Sequence, residues 1–206
     1  MSPRVSTNYK AEKRNEILAA AKRVFRLKGY DLTSMEDIIE EAKMSKGGVY
    51  HYFSGKEDIF ESILKERAES FSSFPFQDGV PVWNTIQQVL SEIAVELTQT
   101  RESFAPVLFE YFMRSYRDPS REQALMNQYN QGVLIWTAAI EKGVSLQEFK
   151  PKLPAETIAK TIVSFIDGLY CDALQLGHTA LDIDGQKQAI LFYLAHALDV
   201  QTIAPE

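Results

Sequence analysis

Hydrophobic residues recur along this chain at the three- and four-residue spacing of an amphipathic α-helix, with polar residues between them. In the stretch 9–28, for example, Ile17, Leu18 and Phe25 share one face before Gly29 ends the pattern. No stretch alternates hydrophobic and polar residues as a half-buried strand does, and no internal repeat is visible. The pattern predicts an all-α fold. About nine helices are expected, at 9–28, 34–42, 46–53, 54–73, 82–100, 104–117, 119–142, 154–176 and 184–200.

Two short helices follow each other closely near the N-terminus. The first, 34–42, places its hydrophobic residues on one face, and a tight turn follows at Lys43 and Met44. Ser45 is the expected N-cap of the second helix, 46–53. Two short amphipathic helices joined by a turn of three to four residues are typical of a helix-turn-helix.

The same region carries two capping signals. Thr33 with Glu36, and Ser54 with Glu57, match the pattern in which a hydroxyl caps a helix and a glutamate three residues on reaches back. These pairs predict helix starts just after Thr33 and Ser54.

The second short helix has an unusual surface. Val49 and Phe53 lie four residues apart and should face the core. Gly47 and Gly48 each weaken a helix by about 1 kcal/mol relative to alanine, so stability does not explain them. Without side chains, however, the helix backbone can come close to another surface. The alternative is an ordinary short helix with half-buried aromatic residues.

Several side chains around this helix suit a nucleic acid. Lys46 and the hydroxyls of Ser45, Tyr50 and Tyr52 suit phosphate oxygens, and His51 suits a base edge. Lys56 begins the next helix, where backbone N–H groups already favour an anion. The predicted DNA-binding residues are Thr33, Ser45, Lys46, Gly47, Gly48, Tyr50, His51, Tyr52 and Lys56.

The charge distribution agrees with this interpretation, although the chain carries a net charge of −6. Residues 1–56 hold eleven Lys and Arg against seven Asp and Glu, whereas residues 57–206 hold eleven against twenty-one. A basic module on an acidic body is expected if one end of the protein meets phosphate, and chance clustering is the alternative.

Composition excludes several other classes of protein. The chain has no apolar run long enough to span a bilayer, its first sixteen residues are too polar for a signal peptide, and a single cysteine forms no intrachain disulfide. A cytoplasmic location is therefore expected. His51, His178 and His196 are far apart and Cys171 stands alone, so no metal or other cofactor is expected. No nucleophile motif or phosphate loop is present, and the chain is not expected to be an enzyme.

The N-terminal sixty residues resemble the DNA-binding domain of the TetR family of bacterial transcriptional regulators. The resemblance rests on the helix 17–28 ending in KGY, then LTSMEDIIEEA, then SKGGVYHYFSGKEDIF. It implies a homodimer that binds a palindromic operator in double-stranded DNA and is released by a small molecule. It also implies phosphate contacts at Tyr50, Tyr52 and Lys56, and a groove-facing surface at Lys46, Gly47, Gly48 and His51.

The last two helices have wide apolar faces with small residues among them. Two such helices from each of two subunits make a four-helix bundle, although they also suit an intrachain core. The resemblance favours the dimer. Its predicted interface residues are Ile162, Phe165, Gly168, Leu169, Leu191, Leu194 and Leu198.

The middle of the chain is rich in aromatic residues. A largely apolar cavity with a few polar groups is the usual lining of a small-molecule site, so this cluster predicts a ligand pocket. An ordinary core is the alternative for each residue. The ligand is expected to be apolar or aromatic, with Glu110 able to offset a positive charge. The predicted lining is Phe104, Phe109, Phe112, Met113, Tyr116, Tyr129 and Trp136.

These observations predict two domains: residues 1–56 for DNA binding and residues 57–206 for ligand binding and dimerisation. The predicted function is a sequence-specific transcriptional regulator, a repressor that a ligand releases from its operator. The alternative is a helix-turn-helix protein that a protein partner controls without a small molecule.

Overall fold

The computed structural model describes residues 7–70, 73–113 and 117–200. Every regular element among these residues is helical, and no strand occurs within them, so the all-α prediction is confirmed. Two 3-10 turns, Thr100–Glu102 and His178–Ala180, accompany nine α-helices in these ranges. The helices are α1 (Thr7–Lys28), α2 (Met35–Ala42), α3 (Lys46–Tyr50), α4 (Lys56–Ser70), α5 (Val82–Thr98), α6 (Ala105–Phe112), α7 (Pro119–Ser145), α8 (Ala155–Leu176) and α9 (Ile183–Leu198).

The chain forms two compact units, and the first is discontinuous in sequence. It contains Met1–Ser70 and Pro106–Ala124, and the second contains Phe71–Ala105 and Leu125–Glu206. The first packing unit therefore includes all of α4 and a later segment of the chain. The assignment of residues 1–56 as the DNA-binding domain is a statement about function and stays a prediction.

Aromatic rings form the centre of the first unit. The ring of Phe60 lies 4.4 Å from that of Tyr111 and 5.3 Å from that of Phe25, and Tyr30 lies 4.8 Å from both Phe60 and Tyr111. All four residues are almost completely buried. Aromatic pairs in these geometries add about 0.5–1.5 kcal/mol each beyond the burial of their area. Tyr111, from the later segment, therefore completes the core beneath the N-terminal helices.

The predicted cap of α2 is wrong by one residue. Ser34, not Thr33, is the N-cap: its hydroxyl accepts from the N–H of Asp37, and the Asp37 carboxylate accepts from the N–H of Ser34 at 2.9 Å. Thr33 is buried and donates its hydroxyl to the carbonyl oxygen of Gly29 at 2.6 Å. The ammonium of Lys28 and the bonds from Ser34 hold the pKa of Asp37 at about 2.

The prediction for Ser54 and Glu57 is also wrong. The N–H of Ser54 donates to Asp58 at 2.8 Å, and the hydroxyl of Ser54 donates to the same carboxylate. Glu57 instead accepts hydrogen bonds from the hydroxyls of Tyr30 and Tyr111, the latter at 2.6 Å. Glu57 therefore binds two buried tyrosines instead of capping the helix.

Helix α3 is shorter than expected. It ends at Tyr50, and the carbonyl oxygen of Val49 then accepts from the N–H groups of both Tyr52 and Phe53 at 3.0 and 3.1 Å. The prediction of 46–53 therefore included a closing turn. Val49 and Phe53 are both buried, as the spacing predicts.

In the second unit, α5, α7, α8 and α9 enclose one hydrophobic core. Ile86, Ile140, Ile158 and Leu194 are completely buried there. The predicted end of the seventh helix at residue 142 is wrong, because α7 continues through Gly143 to Ser145. A Cβ at Gly143 would lie 2.1 Å from the ring of Phe149, so the glycine makes room for that ring.

Candidate nucleic-acid interface

Helix α3 presents most of the predicted DNA-binding residues to solvent. The Ser45 hydroxyl caps it by accepting from the N–H of Gly48 at 3.1 Å. Because Val49 packs inward, the opposite side of the helix faces outward. The exposed residues there are Ser45, Lys46, Gly47, Tyr50 and His51, and Gly48 and Tyr52 are half-buried.

The two glycines of α3 differ in their surroundings. A Cβ at Gly47 would meet no other atom within 4 Å, whereas one at Gly48 would lie 3.1 Å from the hydroxyl of Ser45. Packing against the cap therefore accounts for Gly48. Nothing in the described fold requires Gly47, which leaves bare backbone on the outer surface of α3.

Lys46, the first residue of α3, forms an ion pair with Glu36 in α2. The ammonium lies 3.3 Å from Oε1 of Glu36, and it also lies 5.8 Å from the centre of the Tyr50 ring. Glu36 was not among the predicted interface residues, because a contact across ten residues and a turn leaves no periodic signal.

Lys56 is held by the turn after α1 rather than extended into solvent. Its ammonium donates to the carbonyl oxygens of Tyr30 and Asp31 at 2.8 and 3.4 Å and lies 4.5 Å from the centre of the Tyr30 ring. Burial lowers the pKa of Lys56 from its usual value. An ammonium carries three protons, so a phosphate contact is compatible with these bonds.

Thr33 does not suit the role proposed for it. It is 3% exposed and its hydroxyl is donated within the protein, so the structure leaves its side chain no route to a phosphate. The edge of the ring of His51 packs against that of Tyr52, with the ring centres 5.1 Å apart.

The segment Pro106–Ala124 contributes charged groups to the first unit, next to the end of α1 and the start of α4. Glu110 accepts the backbone N–H groups of Tyr30 and Asp31 at 3.0 and 2.9 Å, one with each carboxylate oxygen. These bonds close the end of α1, where Gly29 adopts a φ of +79°. The sequence suggested that Glu110 offsets a cationic ligand; the structure gives each of its oxygens a backbone partner, and the ligand role stays a prediction.

Arg121, from the same segment, lies close to Glu57 and to the rings of Tyr30 and Tyr111. The guanidinium lies 4.6 and 5.0 Å from the ring centres of Tyr111 and Tyr30, and its Nε lies 3.9 Å from Oε1 of Glu57. Burial, and then the hydrogen bond to Glu57, raises the pKa of both tyrosines. Both phenols therefore stay protonated and act as donors at neutral pH.

The predicted ligand-lining residues are divided between the two units. Phe109, Phe112 and Met113 lie in the first unit, whereas Phe104, Tyr129 and Trp136 lie in the second, and Tyr116 lies outside the described residues. Met113 is 56% exposed, and Trp136 is buried against Phe74 with ring centres 5.0 Å apart. Trp136 is therefore a core residue of the second unit.

A cleft in the second unit has a different lining. It lies among α5, α8 and α9, with Leu90, Leu97 and Leu169 on its apolar walls and Lys187 as its charged residue. Its enclosed space holds about one water molecule.

Four of the predicted dimer residues are buried within their own chain. Ile162, Leu169, Leu194 and Leu198 belong to the cores of the second unit, so they are wrong as intersubunit contacts. Phe165 and Leu191 are half-buried and Gly168 is exposed. The sequence interpretation missed Phe192, which is 80% exposed on α9. The sequence feature that could have indicated Phe192 is a single aromatic residue on the polar side of α9.

The described residues contain no group of three or more His, Cys, Asp or Glu side chains arranged to hold a metal ion. None of the helices in these ranges is long and apolar enough to cross a membrane.

Comparison with known proteins identifies both parts of the chain. Residues 17–63 match the model of bacterial regulatory proteins of the tetR family, and residues 85–184 match a tetracyclin repressor-like C-terminal domain. The HTH-type transcriptional regulator YfiR of Bacillus subtilis, itself uncharacterised, is 35% identical over 200 residues, which cover 96% of this chain and 98% of that protein. The HTH-type transcriptional repressor Rv1474c of Mycobacterium tuberculosis is 30% identical over 78 residues, 38% of this chain and 42% of the repressor.

Solved structures agree on the fold. GusR of Salmonella enterica superimposes with a TM-score of 0.73 at 22% identity, covering 95% of this chain and 98% of GusR. A TetR transcription regulator from Haloarcula marismortui gives 0.76 at 19% identity, covering 91% and 99% of the two chains.

Fold and site together define a helix-turn-helix transcriptional regulator. The chain belongs to the TetR family of bacterial transcriptional regulators. Proteins of this family regulate transcription by binding DNA and are not enzymes, so the prediction of a DNA-binding regulator without enzymatic activity is confirmed.

Proposed function

We propose that this regulator is a cytoplasmic repressor that binds a palindromic operator as a homodimer through residues 1–56 of each subunit. The observation that carries the proposal is the outer surface of α3, where Lys46, Tyr50 and His51 surround the bare backbone at Gly47. An α-helix with such a surface fits the major groove, where side chains contact base edges and neighbouring phosphates.

Gly47→Ala tests the fit of α3 against DNA. The added Cβ meets no atom of the protein, and alanine favours a helix over glycine by about 1 kcal/mol, so the variant should be as stable as wild type or more stable. Its operator affinity should fall about tenfold if the backbone approaches the groove at Gly47, since a misfit at a packed contact costs about 1–3 kcal/mol. Fluorescence anisotropy with operator DNA and thermal melting measure the two effects.

Gly55→Ala is the matched control, because a Cβ at Gly55 also meets nothing within 4 Å and the residue lies outside α3. Equal affinity of wild type and Gly47→Ala would show that α3 does not come close to DNA at this position.

The homodimer is proposed through α8 and α9, with a corrected set of contacts. Phe192 is exposed on α9, and Gly168 is exposed on α8 with no atom within 4 Å of a Cβ placed there. A glycine inside a helix weakens it, so close approach by a second chain is the reason we assign to Gly168. Two copies of α8 and α9 would form a four-helix bundle.

Release by a small apolar or aromatic ligand completes the proposal. A ligand shifts the protein only if it binds the DNA-free conformation better than the DNA-bound one. Phe109 and Phe112, both half-buried in the first unit, are the proposed lining. Screening hydrophobic compounds for release of labelled operator tests this function. Phe112→Ala should weaken release, whereas weakening by Ile93→Trp would move the ligand to the cleft among α5, α8 and α9.

The small size of that cleft favours a second candidate. With space for about one water molecule, it offers no ready site for a drug-sized compound. Control by a protein partner is therefore the alternative. Failure of every compound class to release the operator, together with release by a partner protein, would favour it.

A further inference from the structure

The ion pair between Glu36 and Lys46 joins the two helices of the helix-turn-helix on their outer surface. Glu36 lies in the first turn of α2, and Lys46 begins α3. Their side chains are 70% and 69% exposed, and Nζ lies 3.3 Å from Oε1. A donor and an acceptor are thus held side by side next to Gly47.

A carboxylate at this place calls for an explanation, because DNA phosphates repel it. Two of the three other carboxylates of α2 have structural roles: Asp37 closes the cap of α2 and pairs with Lys28, and Glu41 pairs with Arg23 at 2.6 Å, whereas Glu40 is exposed. Glu36 pairs with the first residue of α3. Its own backbone N–H, and then Lys46, lower its pKa, so the group is ionised and accepts hydrogen bonds only.

The major-groove edge of a G·C pair carries the complementary groups. Guanine presents the acceptors N7 and O6, and cytosine presents the donor N4–H next to O6. Guanine O6 and cytosine N4 are hydrogen-bonded to each other, about 2.9 Å apart. This distance is close to the separation of Nζ of Lys46 and Oε1 of Glu36 in the protein. An ammonium facing O6 therefore places the carboxylate facing N4.

We propose that Glu36 and Lys46 read one G·C base pair in each half-site, with Lys46 donating to guanine and Glu36 accepting from cytosine. The proposal rests on the proposed DNA-binding surface of α3. It makes Glu36 a residue that determines specificity, although it lies on α2. An A·T pair with adenine facing Lys46 would set the ammonium against the adenine amino group. With thymine facing Lys46, the carbonyl and amino groups have the same order as in G·C, but thymine lacks the second acceptor, N7, to which Lys46 can also donate in guanine.

Selection from random duplex DNA with the full-length wild type and Glu36→Gln tests the assignment. Wild type should select a G·C pair at one position of each half-site. Glutamine both donates and accepts and suits adenine. Glu36→Gln should therefore lower the preference for G·C over A·T at that position about tenfold. Its affinity for random DNA should rise, because a negative charge is lost. Glu41→Gln, which removes a paired carboxylate elsewhere on α2, should select the same sequences as wild type.

Lys46→Ala supplies a second measurement. It should reduce the preference at the same base pair as Glu36→Gln. The proposal would be overturned if Lys46→Ala weakened binding equally for all sequences and left the base preferences unchanged. Together with a salt dependence shallower by about one phosphate contact, that result would assign Lys46 to the DNA backbone. Identical selected sequences for wild type and Glu36→Gln would also overturn it. Failure of the wild type to select any sequence would instead refute the proposed function itself.

Discussion

Phe192→Asp is expected to convert the protein from a dimer to a monomer and to lower operator affinity by about 100-fold or more. Phe192 is 80% exposed on α9, and aromatic residues of this kind are frequent anchors at the centre of interfaces. A buried carboxylate without a partner would be strongly unfavourable there. A monomer binds one half-site and loses the gain of about 10²–10⁴ that linked binding sites provide. Sedimentation velocity and operator binding measure the two effects.

Val95→Asp is the control for this prediction. Val95 is 63% exposed on α5, and its replacement adds the same charge to another exposed apolar position. It should leave both the sedimentation coefficient and operator affinity unchanged. A Phe192→Asp protein that still sediments as a dimer would place the subunit contact on another surface.

Glu110→Ala is expected to lower the free energy of unfolding by about 2–3 kcal/mol. The carboxylate accepts two backbone N–H groups, those of Tyr30 and Asp31, in a partly buried turn. Each donor left without an acceptor costs about 1–3 kcal/mol, and entering water recovers part of that loss. Urea unfolding of the variant and wild type measures the difference. The loss should fall on the first unit, which carries α3, so DNA binding should also fail at a lower temperature.

The free energy of unfolding of Glu110→Gln should lie between those of wild type and Glu110→Ala, because the glutamine amide keeps one oxygen that accepts a hydrogen bond. Glu141→Ala, which removes an exposed glutamate from α7, should change stability by about 0.5 kcal/mol or less. If Glu110→Ala and Glu141→Ala had the same unfolding midpoint as wild type, the hydrogen bonds that Glu110 accepts would not contribute to the stability of the protein.

The helix-turn-helix was predictable because its signals are local. The periodic positions of Ile38 and Val49, the cap at Ser45 and the glycines of α3 all act within a few residues of each other. Local signals also have a limit. Thr33 with Glu36 and Ser34 with Asp37 both resemble a capping box, and the burial of Thr33 against Gly29 selected the second pair.

Contacts between distant parts of the sequence could not be predicted in this way. Glu57 fits a helix start by its position, but Tyr111, 54 residues further on, supplies a partner that no spacing rule contains. In α8 and α9 an apolar residue suits an intrachain core and an intersubunit contact equally well. Packing placed Leu194 in the core and left Phe192 outside. The aromatic residues expected in one pocket were likewise divided between two units by the return of the chain.

The discontinuous first unit has a consequence during protein synthesis. Ser70 is synthesised before Glu110, Tyr111 and Arg121, and the first unit extends 54 residues further, to Ala124. At about 5–20 residues per second, that interval lasts roughly 3 to 11 s. Until then the ring of Phe60 lacks one of its neighbours, and the end of α1 lacks its acceptor. During this interval the N-terminal helices have an incomplete core, and partly folded chains of this kind are prone to aggregate. A nascent chain released before residue 124 would carry the predicted DNA-binding residues on that incomplete core.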